Sequence, residues 1–150
     1  MSRHYLMRMT ADDARRVSAA RAQESFPLLA DILNGCCLYA GVTMDEVCGT
    51  GRHPKVVAAR RAFAALCKEM PLSVLKWRPS FPQIAQVMGE PNHSSTITQC
   101  RMVYADPIAH KIVDMVCEEY GIPGNERPAW LTLAPLEMRR TAMQPPKDEE

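Results

Sequence analysis

The stretch that most constrains the fold is residues 80–104 (SFPQIAQVMGEPNHSSTITQCRMVY), because it predicts two short helices joined by a tight turn. Ser80 is a good cap for the first helix, and Pro82 suits an opening turn, where a missing N–H costs nothing. Gly89 ends that helix, and Asn92 is a good cap for the next. The second helix has apolar residues at three-residue spacing: Ile97, Cys100 and Val103. The pattern indicates a helix-turn-helix.

The opposite side of the predicted second helix carries hydrogen-bonding side chains: His93, Ser94, Ser95, Thr98 and Arg101. A helix-turn-helix protein presents such residues to base edges in the major groove of DNA. Short polar residues at a helix start are also ordinary capping chemistry. The pattern alone therefore leaves two interpretations, a DNA-reading helix and a polar helix end in another kind of all-α protein.

A resemblance favours the first interpretation. Residues 80–104 resemble the C-terminal DNA-binding domain of the bacterial replication initiator DnaA, whose signature runs roughly S-L-P-x-I-G-x-x-F-G-G-R-D-H-T-T-V. Residues 36–70 resemble a second pattern of the same family, in which an aromatic residue is followed by a V-T-x-x-x-L segment, a basic loop and a helix with the motif A-R-x-x-A-M. No stretch resembles the family's ATPase domain. The residues that match the signature follow in register: Ser80, Phe81, Pro82, Ile84, Met88, Gly89, Asn92, His93, Ser94, Ser95, Thr96 and Ile97.

The resemblance implies an all-α, multi-helix domain with a helix-turn-helix, similar to the Trp-repressor-like domain IV of DnaA. We expect an N-terminal helical extension in residues 1–24, the DNA-binding domain in residues 25–121, and a proline-rich arm with an acidic tail in residues 122–150. On the arm, we expect Trp130, Leu131 and Leu133 to pack against a protein surface and the tail to be disordered.

Capping residues and prolines predict five further helices. We expect the last of them to bury a stripe made of Ile108, Ile112, Met115, Val116 and Cys117. The five helices are residues 11–25 after Thr10 with Asp13, residues 26–40 after Ser25 and before Gly41, one turn after Thr43 with Glu46, residues 54–70 from Pro54, and residues 107–120 after Asp106 and before Gly121.

Basic charge is concentrated in the middle of the chain. The net charge of the whole sequence is only +1. Residues 51–111, however, hold nine Lys or Arg against three acids, a net +6, and the remainder carries −5. A local basic face with acidic flanks suits a protein that neutralises a few phosphates and depends on specific contacts for the rest.

The loop GTGRHPK, residues 49–55, lacks the Gly-Lys-Ser/Thr ending and the preceding strand of a nucleotide-binding loop. The resemblance implies instead a basic loop that reaches the DNA backbone and minor groove, occupied here by Arg52, His53 and Lys55. Pro54 stands where the family often has an arginine. We therefore expect Arg52 and Lys55 to bind phosphates rather than enter the minor groove.

For the recognition helix, the resemblance implies base-edge contacts from Asn92, His93 and Ser94. The family usually has aspartate at the Asn92 position. Aspartate only accepts hydrogen bonds, as from a cytosine amino group, whereas asparagine donates and accepts and can pair with adenine. We therefore expect a target site related to the family's DnaA box but shifted in sequence.

The remaining implied contacts surround that helix start. Ser95 would bind a phosphate and Pro82 would touch a base or sugar, while Thr98 and Arg101 lie on the same predicted face. Residues 72–80 carry Lys76, Trp77 and Arg78 and form a longer connection than the family has. Two alternatives exist for them: Trp77 packs into the core, which we favour, or Lys76 and Arg78 contact DNA beside an exposed tryptophan.

Several classes of protein are disfavoured. No apolar run approaches the roughly 18 to 20 residues that span a bilayer, and the N-terminus lacks the apolar core of a signal peptide. We expect a cytoplasmic, nucleoid-associated protein with reduced, mostly buried cysteines. No Cys-x-x-Cys clip or convincing Cys/His spacing indicates a metal site or an enzyme. We expect no cofactor.

The expected function is sequence-specific binding of double-stranded DNA by a non-enzymatic regulator of transcription or replication. The alternative is a protein-interaction module that keeps the helix-turn-helix fold and binds a protein partner. The N-terminal helix and the C-terminal arm are the expected sites of such a partner or of self-association. Salt dependence separates the two functions, because phosphate neutralisation weakens steeply with added salt.

Overall fold

The structure, a computed structural model, describes residues 9–132. This part of the chain contains α-helices and short 3-10 turns and no β-strand, which confirms the expected all-α class. None of its helices is long and apolar enough to cross a membrane. The eight α-helices are α1 (Ala11–Ser25), α2 (Pro27–Ala40), α3 (Met44–Val47), α4 (Pro54–Glu69), α5 (Leu72–Leu75), α6 (Phe81–Val87), α7 (Ser94–Met102) and α8 (Pro107–Glu119).

Helix α4 is the centre of the core and packs against α2, α7 and α8. It is rich in alanine, and small side chains let several helices approach one axis closely. Its larger buried residues, Phe63 and Leu66, fill the remaining space, and both are fully buried. The fully buried alanines of α4 are Ala58, Ala59, Ala62, Ala64 and Ala65.

Most of the predicted helix ends are confirmed. The Thr10 and Thr43 hydroxyls each accept a backbone N–H three residues on, at 3.1 Å, and both capping boxes are complete. A carboxylate oxygen of Asp106 accepts from two backbone N–H groups at the start of α8, at 3.0 and 3.1 Å. Gly41 and Gly121 adopt the left-handed conformation, with φ of +72° and +65°.

Two local predictions are wrong. The Ser25 hydroxyl donates to the Arg21 carbonyl within α1, so Phe26 precedes α2 without a side-chain cap. On α8, Ile108 and Met115 are 39% and 46% exposed. The buried side of α8 faces α2 and α4, and its positions are Ala109, Ile112, Val113, Val116 and Cys117. The buried positions follow the three- and four-residue spacing of one helix face, and Ile108 and Met115 lie outside that face.

The connection between α4 and α6 packs onto the domain. Trp77 is partly buried and stacks on Phe26, with ring centroids 6.0 Å apart. The favoured alternative for Trp77 is thereby confirmed. Lys76 has a φ of +72° and ends the short helix α5.

The arm also returns to the core. Trp130 is 6% exposed, and its ring lies 4.6 Å from His110 and 5.7 Å from Tyr104, centroid to centroid. Its indole N–H donates to a Glu69 carboxylate oxygen at 2.7 Å. Burial raises the pKa of Glu69. The expected packing of Trp130 and Leu131 is confirmed, whereas Leu133 and the acidic tail lie outside the described residues.

Candidate nucleic-acid interface

The helix-turn-helix consists of α6, a turn and α7. The Ser80 hydroxyl accepts from the Gln83 N–H at 3.3 Å, and the Gln83 side chain accepts from the Ser80 N–H at 2.9 Å, so the predicted cap is a full capping box. The inner face of α6 is fully buried through Ile84, Val87 and Met88. This arrangement fixes α6 against the domain and leaves Pro82, in its first turn, exposed.

The turn is built around Gly89, whose φ is +71°. A Cβ at this position would lie 2.4 Å from the Arg15 carbonyl oxygen and 3.0 Å from its carbonyl carbon. The Nε of Arg15 donates to the Gly89 carbonyl at 3.0 Å. Both the backbone conformation and the contact with α1 therefore require glycine. Helix α1 packs directly on α6 and holds the turn of the helix-turn-helix.

The start of α7 is exposed and polar. Asn92, His93, Ser94, Ser95 and Thr98 are all exposed. The side-chain oxygen of Asn92 accepts from the Ser94 N–H at 3.0 Å, so Asn92 caps the helix as expected, although His93 occupies the cap position itself. The Thr98 hydroxyl donates to the Ser94 carbonyl at 3.2 Å. The hydroxyls of Ser94 and Ser95 project from the first turn, where backbone N–H groups are also unpaired within the helix.

The inner side of α7 differs from the predicted one by one residue. Thr96 is fully buried, and its hydroxyl oxygen has no hydrogen-bond partner in the described part of the chain. Val103 is fully buried as expected, but Ile97 and Cys100 are only partly buried. The buried line through Thr96, Cys100 and Val103 follows four-then-three spacing, whereas the sequence interpretation used threes throughout and so placed Ile97 on it.

A groove of about 400 Å³ opens between α1, the loop of residues 49–55, α4 and α7. We call it the arginine groove, because Arg15, Arg52, Arg60 and Arg61 line it. Ser95 and Thr98 of α7 line it from the other side, together with Glu90 of the turn. The structure thus brings three predicted site residues together: Arg52, Ser95 and Thr98. Arg15, Arg60 and Arg61, which sequence reasoning did not place at the DNA interface, join them in the groove.

Arg60 forms the floor of this groove. It is 5% exposed and donates only to backbone carbonyls: Glu46, Val47, Gly49 and Gly51, at 3.2, 2.9, 2.8 and 2.6 Å. Burial lowers the pKa of Arg60, and the nearby positive charge of Arg15 lowers it further. A guanidinium nevertheless stays charged at neutral pH. Arg60 therefore fixes the start of the basic loop. It also places beneath the groove a charge that has no acidic hydrogen-bond partner within residues 9–132.

Arg61 is partly neutralised. Its guanidinium donates to a carboxylate oxygen of Asp106 at 3.0 Å, and Asp106 is itself 8% exposed because it caps α8. The Nε of Arg61 is buried and has no hydrogen-bond partner among residues 9–132. The ion pair anchors α4 to the start of α8.

His53 and Lys55 lie at the start of α4 beside the arginine groove. The Nδ1 of His53 accepts from the Lys55 N–H at 3.2 Å, so His53 caps this helix. Both side chains are exposed. Sequence reasoning identified His53 as basic but missed its capping function.

Lys76, Arg78 and Arg101 do not line the arginine groove. Lys76 donates from Nζ to the Ser73 carbonyl at 2.8 Å, and Arg78 donates to the Cys67 carbonyl at 3.2 Å. Arg101 is exposed in the last turn of α7, away from its polar start. These three cations therefore do not join Arg52, Ser95 and Thr98 at the groove.

Metal-binding side chains do not converge in the described part of the chain, where no three His, Cys, Asp or Glu residues form a cluster. The six cysteines are free thiols, and Cys36, Cys37, Cys48, Cys67 and Cys117 are buried. Burial raises the pKa of Cys37 to about 12 and that of Cys117 to about 11. The expectation of mostly buried cysteines is confirmed by their placement.

A family model described as bacterial dnaA protein helix-turn-helix matches residues 29–103. The match, half of the 150 residues, includes the basic loop, α4, α6 and α7. Helix α1 and the C-terminal arm lie outside it. No curated protein and no solved structure matches the chain.

Proposed function

Since the chain belongs to the bacterial DnaA helix-turn-helix family, we propose that it binds double-stranded DNA with sequence specificity, through the start of α7. The observation that carries this proposal is the exposed polar turn of α7 beside the arginine groove. Hydrogen-bonding side chains there suit base edges in a major groove, and the neighbouring cations suit phosphates.

The side chains proposed to contact base edges are those of His93, Ser94 and Asn92. Each is exposed at the start of α7, the end of a recognition helix that enters the major groove. Pro82, exposed in the first turn of α6, is proposed to touch a sugar or base from the side. Thr98 supports the same face by bonding back to the Ser94 carbonyl.

Asn92 also caps α7, and this restricts the hydrogen bonds that it can make to a base. Its side-chain oxygen caps α7 at the Ser94 N–H, and paired recognition of adenine uses both the oxygen and the amino group of an asparagine. We propose that the amino group donates to a base acceptor while the oxygen keeps the cap. A single donated bond discriminates less than a bidentate pair, so Asn92 would contribute at the lower end of the usual range.

The side chains proposed to bind phosphates are those of Arg52, Lys55 and Ser95. Arg52 and Ser95 line the two sides of the arginine groove, and Lys55 is exposed beside it. The N–H groups of the first turn of α7 add to this set, because helix starts attract anions. These contacts set the register of the protein on the duplex without reading its sequence.

The biological role that fits a DNA-binding domain of this kind is regulation of transcription or of replication, by occupying sites in the nucleoid without catalysis. The two roles differ in where the sites lie. Mapping of bound sites in cells distinguishes them: clustering upstream of genes supports transcription, and clustering at an origin of replication supports replication.

Fluorescence anisotropy tests the proposal directly. A labelled duplex with a DnaA-type box and a scrambled duplex of equal length are titrated with the protein across a salt series. Tighter, salt-dependent binding to the box supports sequence-specific recognition. Equal, salt-dependent binding to both duplexes leaves DNA binding in place and requires selection of the site from random sequence. Absence of binding at low salt contradicts the proposal.

The alternative function, binding of a protein partner, is supported by the outer face of α1. Met9 and Val17 are 41% and 43% exposed and line a shallow groove with Phe26 and Gln86. Apolar side chains on a helix surface are typical of contacts between proteins. Self-association through this face would appear as a concentration-dependent mass in sedimentation equilibrium, with loss of the dimer on Val17→Glu.

A further inference from the structure

Helix α1 lies outside the segment that defines the family, yet it supplies one side of the arginine groove. Its three arginines differ. Arg16 lies 3.8 and 3.7 Å from the carboxylates of Asp12 and Asp13 and donates to the Asp45 carbonyl. Arg21 is exposed on the outer face of α1. Only Arg15 reaches the groove.

Arg15 is held in place by a single hydrogen bond. Its Nε donates to the Gly89 carbonyl in the turn between α6 and α7, at 3.0 Å. No hydrogen bond or ion pair within residues 9–132 uses its two terminal nitrogens. The hydrogen bond from Nε to the turn therefore orients the guanidinium, while the two terminal nitrogens stay available. Two such N–H groups can form parallel hydrogen bonds to a phosphate.

Positive charge predominates around Arg15, although the carboxylate of Asp12 on the same helix also interacts with it. Four guanidinium groups line the arginine groove, and Glu90 is the acid among its lining residues. Asp106 neutralises part of Arg61. Arg15, Arg52 and Arg60 line the same groove. Burial lowers the pKa of Arg60 most, the charges of Arg15 and Arg52 lower it further, and Glu90 raises it. Like charges held at short distance repel, and an anion between them removes that cost.

The position of the groove fits the path of a DNA strand. It separates the basic loop from the start of α7. If α7 enters a major groove, the loop beside it lies over one of the two sugar-phosphate strands that border that groove. That strand carries a phosphate about every 3.4 Å of helix axis. The arginine groove thus faces the backbone between the two contacts.

We propose that Arg15 is a DNA-binding residue, and that with Arg52 it holds one backbone phosphate in the arginine groove. Helix α1 is then part of the interface. This inference rests on the proposed function and extends it beyond the family segment. Since Arg15 also bonds to the turn, phosphate binding and the position of α7 are linked through one side chain.

The test compares Arg15→Gln with Arg21→Gln, which removes the same charge from the outer face of the same helix. Both are titrated on the box and scrambled duplexes across the salt series. For Arg15→Gln we expect equal weakening on both duplexes and a salt slope reduced by about one. Arg21→Gln is expected to keep the wild-type slope. Arg15→Lys, which keeps the charge, is expected to keep most of the slope.

Equal slopes for Arg15→Gln and Arg21→Gln, with salt-dependent binding intact in the wild type, would overturn the inference and leave the proposed function standing. No salt-dependent binding by the wild type would overturn both. A measurement on the unaltered protein covers the case in which Arg15→Gln unfolds: the Nε–H signal of Arg15 in a nitrogen-proton NMR spectrum is expected to shift on addition of duplex, and that of Arg21 is not. An unshifted Arg15 signal under saturation would overturn the inference.

Discussion

Two segments of this chain are basic in sequence, and the structure treats them differently. In the connection of residues 72–80, Lys76 donates to the Ser73 carbonyl of the same segment and Arg78 donates to the Cys67 carbonyl of α4. Trp77 packs on Phe26. The arginine groove gathers cations from α1, the basic loop and α4 beside the polar start of α7. Sequence reasoning expected DNA contacts from the basic loop and kept them as the less favoured alternative for the connection. Local charge density alone therefore does not identify a surface where several cations converge with unused donors.

The largest expected effect is a difference in stability between a variant of the arginine groove and a variant of the connection. Arg60→Met removes a buried guanidinium that donates to four carbonyls, and we expect unfolding free energy to fall by about 3 kcal/mol, because buried acceptors lose charged partners. Arg78→Met removes one bond from an exposed side chain and is the matched control. Urea unfolding measures both. Equal losses of unfolding free energy in the two variants would mean that the hydrogen bonds of Arg60 stabilise the fold no more than that of Arg78.

Gly89→Ala tests how α1 meets the turn. A methyl group there meets the Arg15 carbonyl oxygen at 2.4 Å and forces a left-handed alanine, so we expect a loss of about 2 to 3 kcal/mol. Gly41→Ala has a φ of +72° but nothing within 4 Å of the new carbon, and should cost about 1 to 2 kcal/mol. Thermal or urea unfolding compares them. A Gly89→Ala variant as stable as Gly41→Ala would show that α1 is loosely held.

Variants of Asn92 test whether this residue, at the polar start of α7, reads a base or only caps the helix. Asn92→Asp keeps an oxygen for the Ser94 N–H and removes the amino donor, whereas Asn92→Ala removes both. We expect Asn92→Asp to change the preferred base at one position, with about 1 kcal/mol of discrimination lost there. Anisotropy on single-position variants of the best site measures this. If Asn92→Asp retains the wild-type preference at every position, Asn92 is a cap and not a reader.

The smallest expected effect concerns two lysines. Lys55 is exposed beside the arginine groove, and Lys76 donates to its own connection. Lys55→Ala is expected to weaken binding uniformly on box and scrambled DNA and to reduce the salt slope by about one. Lys76→Ala should leave the slope unchanged. A reversed result would move the backbone contact to residues 72–80.

Features governed by neighbours within one turn could be predicted from the sequence. The caps at Thr10, Thr43, Ser80 and Asp106 depend on residues two or three positions away, and all four are present. The all-α class and the helix-turn-helix follow from the same local signals. The exposed start of α7 was also predicted, because its polar residues are contiguous in sequence.

Features that depend on distant residues could not be predicted. Arg15 and Gly89 are 74 positions apart, and Glu69 and Trp130 are 61 apart, so neither contact leaves a local pattern. Arg60 appears in sequence as one more cation on a helix, and only its burial against the loop carbonyls distinguishes it from Arg78. For the same reason, sequence reasoning kept Lys76 and Arg78 as an alternative DNA contact and did not identify the arginine groove.

The proposed DNA interface is tested most directly by an NMR titration of the isotope-labelled protein with a duplex that it binds. Backbone amide shifts report where the duplex contacts the chain. We predict that the largest shifts fall in residues 49–55, in residues 92–98 and around Arg15, with little change in residues 72–79. Shifts concentrated in residues 72–79, with the start of α7 unaffected, would contradict the claim that the arginine groove and α7 form the DNA interface.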